Sequence, residues 1–502
     1  MSEGSPLGRA RRIVLVVVSV IVLLVAGRFF ALRPKMAEIA VSQQTTYLTT
    51  PTRADGWVDY PEAVDWMRRA ALGVDGKNAA APLVHAMGST LLPTGVDKGK
   101  LLQQLGVPDA PADAPKLVRL SDFEAVDGAS SPEPSPEADD WLRARCAGAQ
   151  AQSLSRARIA DWIARSEAPL ADVVTASQAA SLYVPVPREQ SAAVEGFARV
   201  NPIRLATASE ALRCRAALRL LAGDAAGSWA DLEAMWKLGL LVARSASLGE
   251  YAVAGVFWRD AMAGTVDLAA SSAAKPELLA AVRKTLDAVP AFPPATETLM
   301  LQRLAVLNAF ATPLVAKAAP DAQPGTLVAK AGTGVVLEGI NQRYDALDAA
   351  LQIADPRARI ARINQIEAEA VKAAQKEKTF WTRLVRKFKG EVPVEATAEF
   401  GGQLAMLGRA TLGVELTAVS GRRIATVALA IAKFQREKGS LPASLAELGD
   451  VPKDPASGGA FAYKPNGQQF TVYGVGRDGR DNGGDLAEDM VAISQEPPRP
   501  PR

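Results

Sequence analysis

A single histidine and two cysteines in 502 residues leave little room for metal or nucleophile chemistry. His85, in "PLVHAMG", cannot by itself build a multi-histidine zinc site or an HExxH arrangement. No G-x-S-x-G elbow accompanies it, so Ser-His or Cys-His catalysis lacks its usual frame, and His85 reads as structural. The stretch "AGTGVV" (331–336) lacks the Lys-Ser/Thr ending of a phosphate loop and reads as a flexible turn. Aromatic residues make up only 6%, and the formal charge of +3 is close to balance. No concentrated basic face stands out, so no nucleic-acid partner is expected. No small-molecule substrate is indicated either.

What the chain has instead is alanine. Apolar residues reach 48% with few aromatics, and alanine is the strongest helix former. The expected fold is therefore mainly α. The length allows two to four domains with a sizeable core.

The first long apolar run is "IVLVVVSVIVLLVAG" (Ile13 to Gly27), preceded by Arg9, Arg11 and Arg12. Extended to Leu32 it gives about 20 residues, or about 30 Å of helix, which matches one bilayer core. Residues 1–12 then form a cytoplasmic tail and 13–32 a transmembrane anchor whose partner is the lipid bilayer. The short basic tail favours a single pass through a bacterial inner membrane, with the bulk of the chain periplasmic. A cleaved signal ending near Val25-Ala26-Gly27 is the alternative, and would release a soluble exported scaffold.

Beyond the anchor, Pro/Gly/Ser-rich breaks divide the chain into a mixed, helical region (33–126), a linker (127–140, "DGASSPEPSPEADD") and a helical domain (141–420). Within that domain Pro202 to Arg244 reads as an αα-hairpin turning at "AGDAAGS". Trp229, Leu232, Trp236, Leu240 and Ala243 recur at helical spacing along one face. No second copy follows at a fixed period, so a helical-repeat scaffold remains an alternative. Cys146 and Cys214 both lie in helical stretches. They either pair in an oxidising compartment, closing a loop worth about 4 kcal/mol, or remain buried free thiols. "KAAQKEKTFWTRLVRKFK" (Lys372 to Lys389) is basic and amphipathic, and suits either packing on the core or an anionic membrane surface.

From residue 421 the texture changes. An amphipathic helix ends at Gly439, and "SLPASLAELG" gives a short helical turn. Strands follow around Phe461–Lys464 and Gln469–Val475, joined by an Asn466-Gly467 turn. After them comes "GRDGRDNGGDLAEDM", rich in glycine and carboxylates. Asp478, Asp481, Asp485 and Asp489, with Asn482 and Glu488 between them, offer the hard oxygens that calcium prefers. An EF-hand register fails, because counting from Asp478 places Arg480 at position three and a strand precedes the loop. The other reading is an unliganded turn held by side-chain to backbone hydrogen bonds.

The ordered elements "LPASLAEL", "DPASGGAFAY" and "FTVYGVGRDGRDNGGDLAEDM" resemble the globular head of type II secretion major pseudopilins. The resemblance covers about the last 80 residues. It implies a small α+β module (421–493) with a calcium-holding loop, Asp478 and Asp489 being the best-matched positions, followed by a disordered Pro-rich tail (494–502). The whole chain is similar in layout to large uncharacterised bacterial membrane-anchored envelope proteins. It departs from pseudopilins at its start: Gly8-Arg9 precedes the apolar run with no glutamate at the fifth position, and about 390 residues separate anchor from head. Processing and filament assembly through the usual helix are therefore not expected.

The expected function is a non-enzymatic, membrane-anchored envelope protein that scaffolds or binds other envelope proteins, linked by analogy to type II secretion or pilus-like machinery. The alternative is an anchored hydrolase recruiting acids such as Asp55 and Asp59, or Asp139 and Asp140. Those acids read more simply as capping and surface residues.

Overall fold

A computed structural model describes residues 36–73, 76–108, 114–123, 136–146, 156–187, 197–315, 326–330, 333–377, 395–476, 478–485 and 489–494. Fourteen α-helices and five short strands occur among these residues, so the chain is mainly helical with a small antiparallel sheet near its C-terminus. The anchor expected at 13–32 and the tail before it lie outside the described residues. Among the described residues no helix is long and apolar enough to cross a membrane.

The described residues divide into two compact units. The first falls within Met1–Val58, Ala311–Arg343 and Ala368–Ala405. Its strands β1 (Met36–Ala40) and β2 (Thr326–Lys330) pair antiparallel, Met36 opposite Lys330 and Ala40 opposite Thr326. Sequence reading missed this pair. The "AGTGVV" turn also needs correction, since a helix begins at Thr333. In this unit the Asn341 amide donates to the Gln44 carbonyl at 2.7 Å.

The second unit falls within Asp59–Phe310, Tyr344–Glu367 and Met406–Arg502. It opens with α1 (Tyr60–Leu72), α2 (Ala80–Met87) and α3 (Lys98–Leu105). Asp59 caps α1 by accepting from the Glu62 N–H at 3.1 Å, with a proline in the first turn, the arrangement expected at a helix start. Helices α4 (Pro136–Cys146), α5 (Arg156–Arg165) and α6 (Glu167–Ser177) follow. The expected linker 127–140 is thus helical from Pro136, where Glu137 and Asp139 suit a first turn. The rest of it lies outside the described residues.

The centre is built by α7 (Pro202–Leu221), α8 (Ala225–Ala243) and α9 (Leu248–Ala270). The αα-hairpin is present: Asn201 caps α7, and Asp224 caps α8 by accepting from the Gly227 N–H at 2.8 Å. Gly223, at φ 81°, makes the turn between them. Helix α9 starts with a capping box formed by Ser247 and Glu250. Helix α8 does not bury the single face its spacing suggested. Trp229, Leu232, Ala234, Met235, Trp236, Leu238, Gly239 and Val242 are all buried, because α6, α7 and α9 all pack against it. A helix enclosed on several sides is apolar around its circumference.

Close approach of α8 and α9 depends on two glycines. A Cβ on Gly239 would stand 2.4 Å from the Trp258 ring, and one on Gly264 only 2.2 Å from Leu232. Trp236 and Trp258 meet edge to face at 5.0 Å, and the Trp258 indole N–H donates to the Trp236 carbonyl at 3.0 Å.

Helices α10 (Pro276–Ala288), α11 (Ala295–Val315), α12 (Thr333–Leu351), α13 (Pro356–Glu377) and α14 (Glu395–Lys438) complete the helical set. Beyond Glu377 the basic amphipathic stretch lies outside the described residues up to residue 389. Helix α14 runs through position 421, so the expected junction between helical domain and C-terminal module falls inside one continuous helix. Gly255 of α9 meets Val414, Gly421 meets Met262, and Arg436 donates to the Ala269 and Ser271 carbonyls at the end of α9. Gly439, at φ 77°, closes α14 as its position suggested.

After α14 a 3-10 turn at Leu445–Leu448, boxed by Ser444 and Glu447, leads to the three-stranded sheet. Strands β3 (Ala462–Asn466), β4 (Gln469–Gly474) and β5 (Met490–Ile493) pair antiparallel in sequence order. Asn466 faces Gln469 across a turn in which Gly467 takes φ 61°. Strand β5 was not anticipated, and it packs against α9. Ser494 is buried, exchanging hydrogen bonds with the Phe470 backbone at 2.7 and 2.9 Å. Of the expected tail 494–502, Ser494 is thus held against β4, and residues 495–502 lie outside the described residues.

Candidate metal site

The β4–β5 connection is shaped by Asp489, the residue just before β5. Its Oδ2 reaches back to accept from the Asn482 N–H at 3.0 Å and the Gly484 N–H at 2.8 Å. Its own N–H donates to the Asp485 carbonyl at 2.8 Å. Gly483 and Gly484 hold φ 75° and 86°, which turn successive N–H groups inward. The ring of Tyr473 lies under Gly484, 3.2 Å from where a Cβ would stand. Asp489 is only 8% exposed, and among the described residues its Oδ1 has no hydrogen-bond partner. A buried carboxylate oxygen left unpaired costs several kcal/mol.

Of the other three carboxylates, Asp478 and Asp481 serve their own turns. Asp478 Oδ1 accepts from the Arg480 N–H at 3.0 Å and Oδ2 from the Asn482 amide at 3.1 Å. Partial burial raises the Asp478 carboxyl, but these donors outweigh it and hold the group below the usual aspartate range. Asp481 accepts from the Gly483 N–H at 2.8 Å and is exposed, as is Asp485. Glu488 lies outside the described residues.

Sequence reading missed Lys464. Its ammonium donates to the Gly483 carbonyl at 2.8 Å and sits 5.0 Å from the centre of the Tyr473 ring. It reaches the loop from the neighbouring hairpin strand, a placement that no local motif encodes.

Does this loop suit calcium? Its donors are the hard oxygens the ion prefers, and the orphaned Asp489 Oδ1 is an oxygen in need of a positive partner. Among the described residues, however, no three acidic, histidine or cysteine side chains converge on one point. The loop fits calcium in chemistry and at Asp489. Asp478 and Asp481 would join the set only by giving up bonds they now make, while the Asp485 side chain is exposed.

The remaining candidates are engaged elsewhere, except Asp139 on α4, whose Oδ1 is buried with no hydrogen-bond partner among the described residues. His85 Nδ1 lies 2.6 Å from Asp172 Oδ2, an exposed pair joining α2 to α6. Asp55 accepts from the Trp57 N–H at 3.0 Å and pairs with Arg53, while Asp59 caps α1. Asp140 pairs with Arg143 on the surface of α4. No protein-family profile, curated protein or solved structure matches the chain.

Proposed function

We propose that this protein is a membrane-tethered bacterial envelope protein of scaffolding type, with a pseudopilin-like C-terminal module whose 476–489 loop takes up calcium. The tether is the apolar run at 13–32. The exported helical body would carry the module and offer its surface to envelope partners, linked by analogy of fold to secretion or pilus-like machinery. The observation that carries the calcium reading is the buried, unpaired Oδ1 of Asp489, in a loop whose other carboxylates stand within eleven residues of it in sequence. When bound, the ion would supply positive charge to that oxygen and tie the β4–β5 connection together. Asp489 would anchor it, with Asp478, Asp481 and Asp485 as further ligands.

Affinity should be modest. The loop satisfies much of itself without an ion, and the Lys464 ammonium already occupies the Gly483 carbonyl. That places it in the roughly 10⁻⁴–10⁻³ M class of extracellular calcium modules. In differential scanning calorimetry of the full chain in detergent, 10 mM calcium should raise the melting temperature by about 2–4 °C. Equal magnesium should do so far less, and Asp489→Ala should abolish the rise. A wild-type melting temperature indifferent to calcium would remove the calcium reading. Retention in carbonate-washed membranes tests the tether separately, and release into the aqueous fraction would remove that part.

A further inference from the structure

The two cysteines, 68 positions apart and unaccompanied by any other in the chain, come together at one helix junction. Cys146 ends α4 and Cys214 lies within α7, and the two helices pack against each other. Both thiols are free in this structure; Cys214 Sγ lies 3.7 Å from the Cys146 carbonyl oxygen, and the two residues are buried, at 0% and 4% exposure.

The contact is set by the residues beside them. Each cysteine follows an arginine: Arg145-Cys146 on α4 and Arg213-Cys214 on α7. Both arginines pair with one carboxylate, Asp267 of α9. Arg145 reaches Oδ1 at 3.0 Å and Oδ2 at 3.2 Å, and Arg213 donates to Oδ2. Asp267 is itself buried, so this three-way ion pair fixes both helix backbones at adjacent positions. Guanidiniums anchored to one point bring the following side chains into register.

We propose that Cys146 and Cys214 are a disulfide pair, joined when the folding chain meets a disulfide oxidant of the glutathione or dithiol-oxidase class. One cysteine thiolate attacks the oxidant's disulfide, forming a mixed disulfide and expelling one oxidant thiolate, which takes up a proton. The second cysteine, losing its proton, then attacks the first cysteine's sulfur and expels the remaining oxidant thiolate. The chain loses two protons and two electrons, and the oxidant disulfide is reduced to two thiols. Burial pushes the Cys214 thiol well above its ordinary value, so the attack belongs to the stage before α4 docks. Once formed, the bond is enclosed and shielded from reductants.

The test uses a defined redox buffer and so does not depend on the export reading. The full chain in detergent is refolded in a glutathione buffer rich in the disulfide form, then alkylated in denaturant and mapped by mass spectrometry. The expected result is one cross-linked peptide pair, 146 with 214, two hydrogens lighter than the reduced form. Oxidised protein should melt on the order of 5–10 °C above reduced protein, a difference that the double variant C146A/C214A lacks. Two alkylated cysteines after oxidising refolding, or a cross-link between chains, would overturn the pairing. If the double variant does not fold, peptide mapping and the oxidised-minus-reduced shift of the wild type decide alone.

Discussion

The α7–α9 core and the C-terminal sheet module both bury carboxylates, and they satisfy them in opposite ways. In the core the partners are guanidiniums. Asp231 accepts from Arg215 at 2.7 Å and Arg219 at 2.9 Å and Asp267 from Arg145 and Arg213, while Glu250, in the first turn of α9, accepts from Arg199 at 3.1 Å and from backbone N–H groups as well. In the module the partners are mainly backbone N–H groups. Asp454 is buried and accepts from Ala456 at 3.1 Å, Ser457 at 3.2 Å and Val475 at 3.3 Å, plus the Ser457 hydroxyl at 2.7 Å. The reason lies in the local backbone. Past its first turn a helix has no N–H to spare, so a buried carboxylate there must recruit a cation whose own desolvation is costly. Turns leave N–H groups free, and a short acid can organise them. Arginine therefore does in the core what backbone does in the module.

The largest expected effect comes from removing a core carboxylate. Arg199 and Glu250 are both fully buried. Arg199 also donates to the carbonyls of Leu182, Val242 and Arg244, while Glu250 accepts from the Arg199, Val200 and Ser247 N–H groups. Burial raises the Glu250 carboxyl, but the guanidiniums of Arg199 and Arg68 outweigh this and hold it below the ordinary glutamate range. Glu250→Ala would leave those cations without their counter-charge and should destabilise by about 3–5 kcal/mol in urea unfolding. A loss under about 1 kcal/mol would mean that the pair behaves like a surface salt bridge, and the contrast drawn here would fail.

Asp454→Ala removes four hydrogen bonds, none of them to a cation, and should cost about 2–3 kcal/mol. Its site is tightly packed, since a Cβ on neighbouring Gly474 would stand 2.9 Å from the Asp454 carboxylate. The loss should be local. Hydrogen exchange is expected to quicken at β4 and β5 while amides of α8 keep their protection. Equal loss of protection in α8 would show that module and core unfold together, dissolving the distinction between the two regions.

These two regions also differ in how far their chains announce them. The α7–α8 hairpin, the Gly439 stop, the Ser444–Glu447 box and the Gly467 turn are local devices, and each could be read from a few neighbouring residues. The pairing of Met36–Ala40 with Thr326–Lys330 has no local signal, because its partners lie more than half the chain apart. Spacing in α8 pointed to one apolar stripe, and only the positions of α6 and α9 reveal that Ala234, Leu238 and Gly239 are enclosed as well. At the loop, the pseudopilin resemblance pointed to Asp478 and Asp489 alike, and nothing in the spacing foretold that Asp478 and Asp481 serve their own turns. Lys464 gained its role, and Asp454 its bond to the Val475 N–H, only when the hairpin brought distant backbone to them.

Glu210 completes the comparison, because among the described residues it has neither kind of partner. It lies on α7, near Asp260, which accepts from the Ser209 hydroxyl at 3.0 Å. Burial, and then the Asp260 charge, push the Glu210 carboxyl up to about 7, while Arg119 lowers it only in part. A carboxyl raised on folding binds its proton more tightly in the native state, so it stabilises below its unfolded value near 4.5. That contribution is lost as pH rises through about 7. Wild-type stability should therefore fall by about 1–2 kcal/mol between pH 4.5 and 8 on account of this group, after allowing for its partial solvation. Glu210→Gln carries the neutral form permanently and should flatten that slope, making the variant more stable than wild type at pH 8 and nearly equal at pH 5. Parallel pH profiles for the two proteins would mean that Glu210 has found a partner after all. Glu210 would then join Asp231 and Asp267 as a paired carboxylate, with no proton of its own to hold.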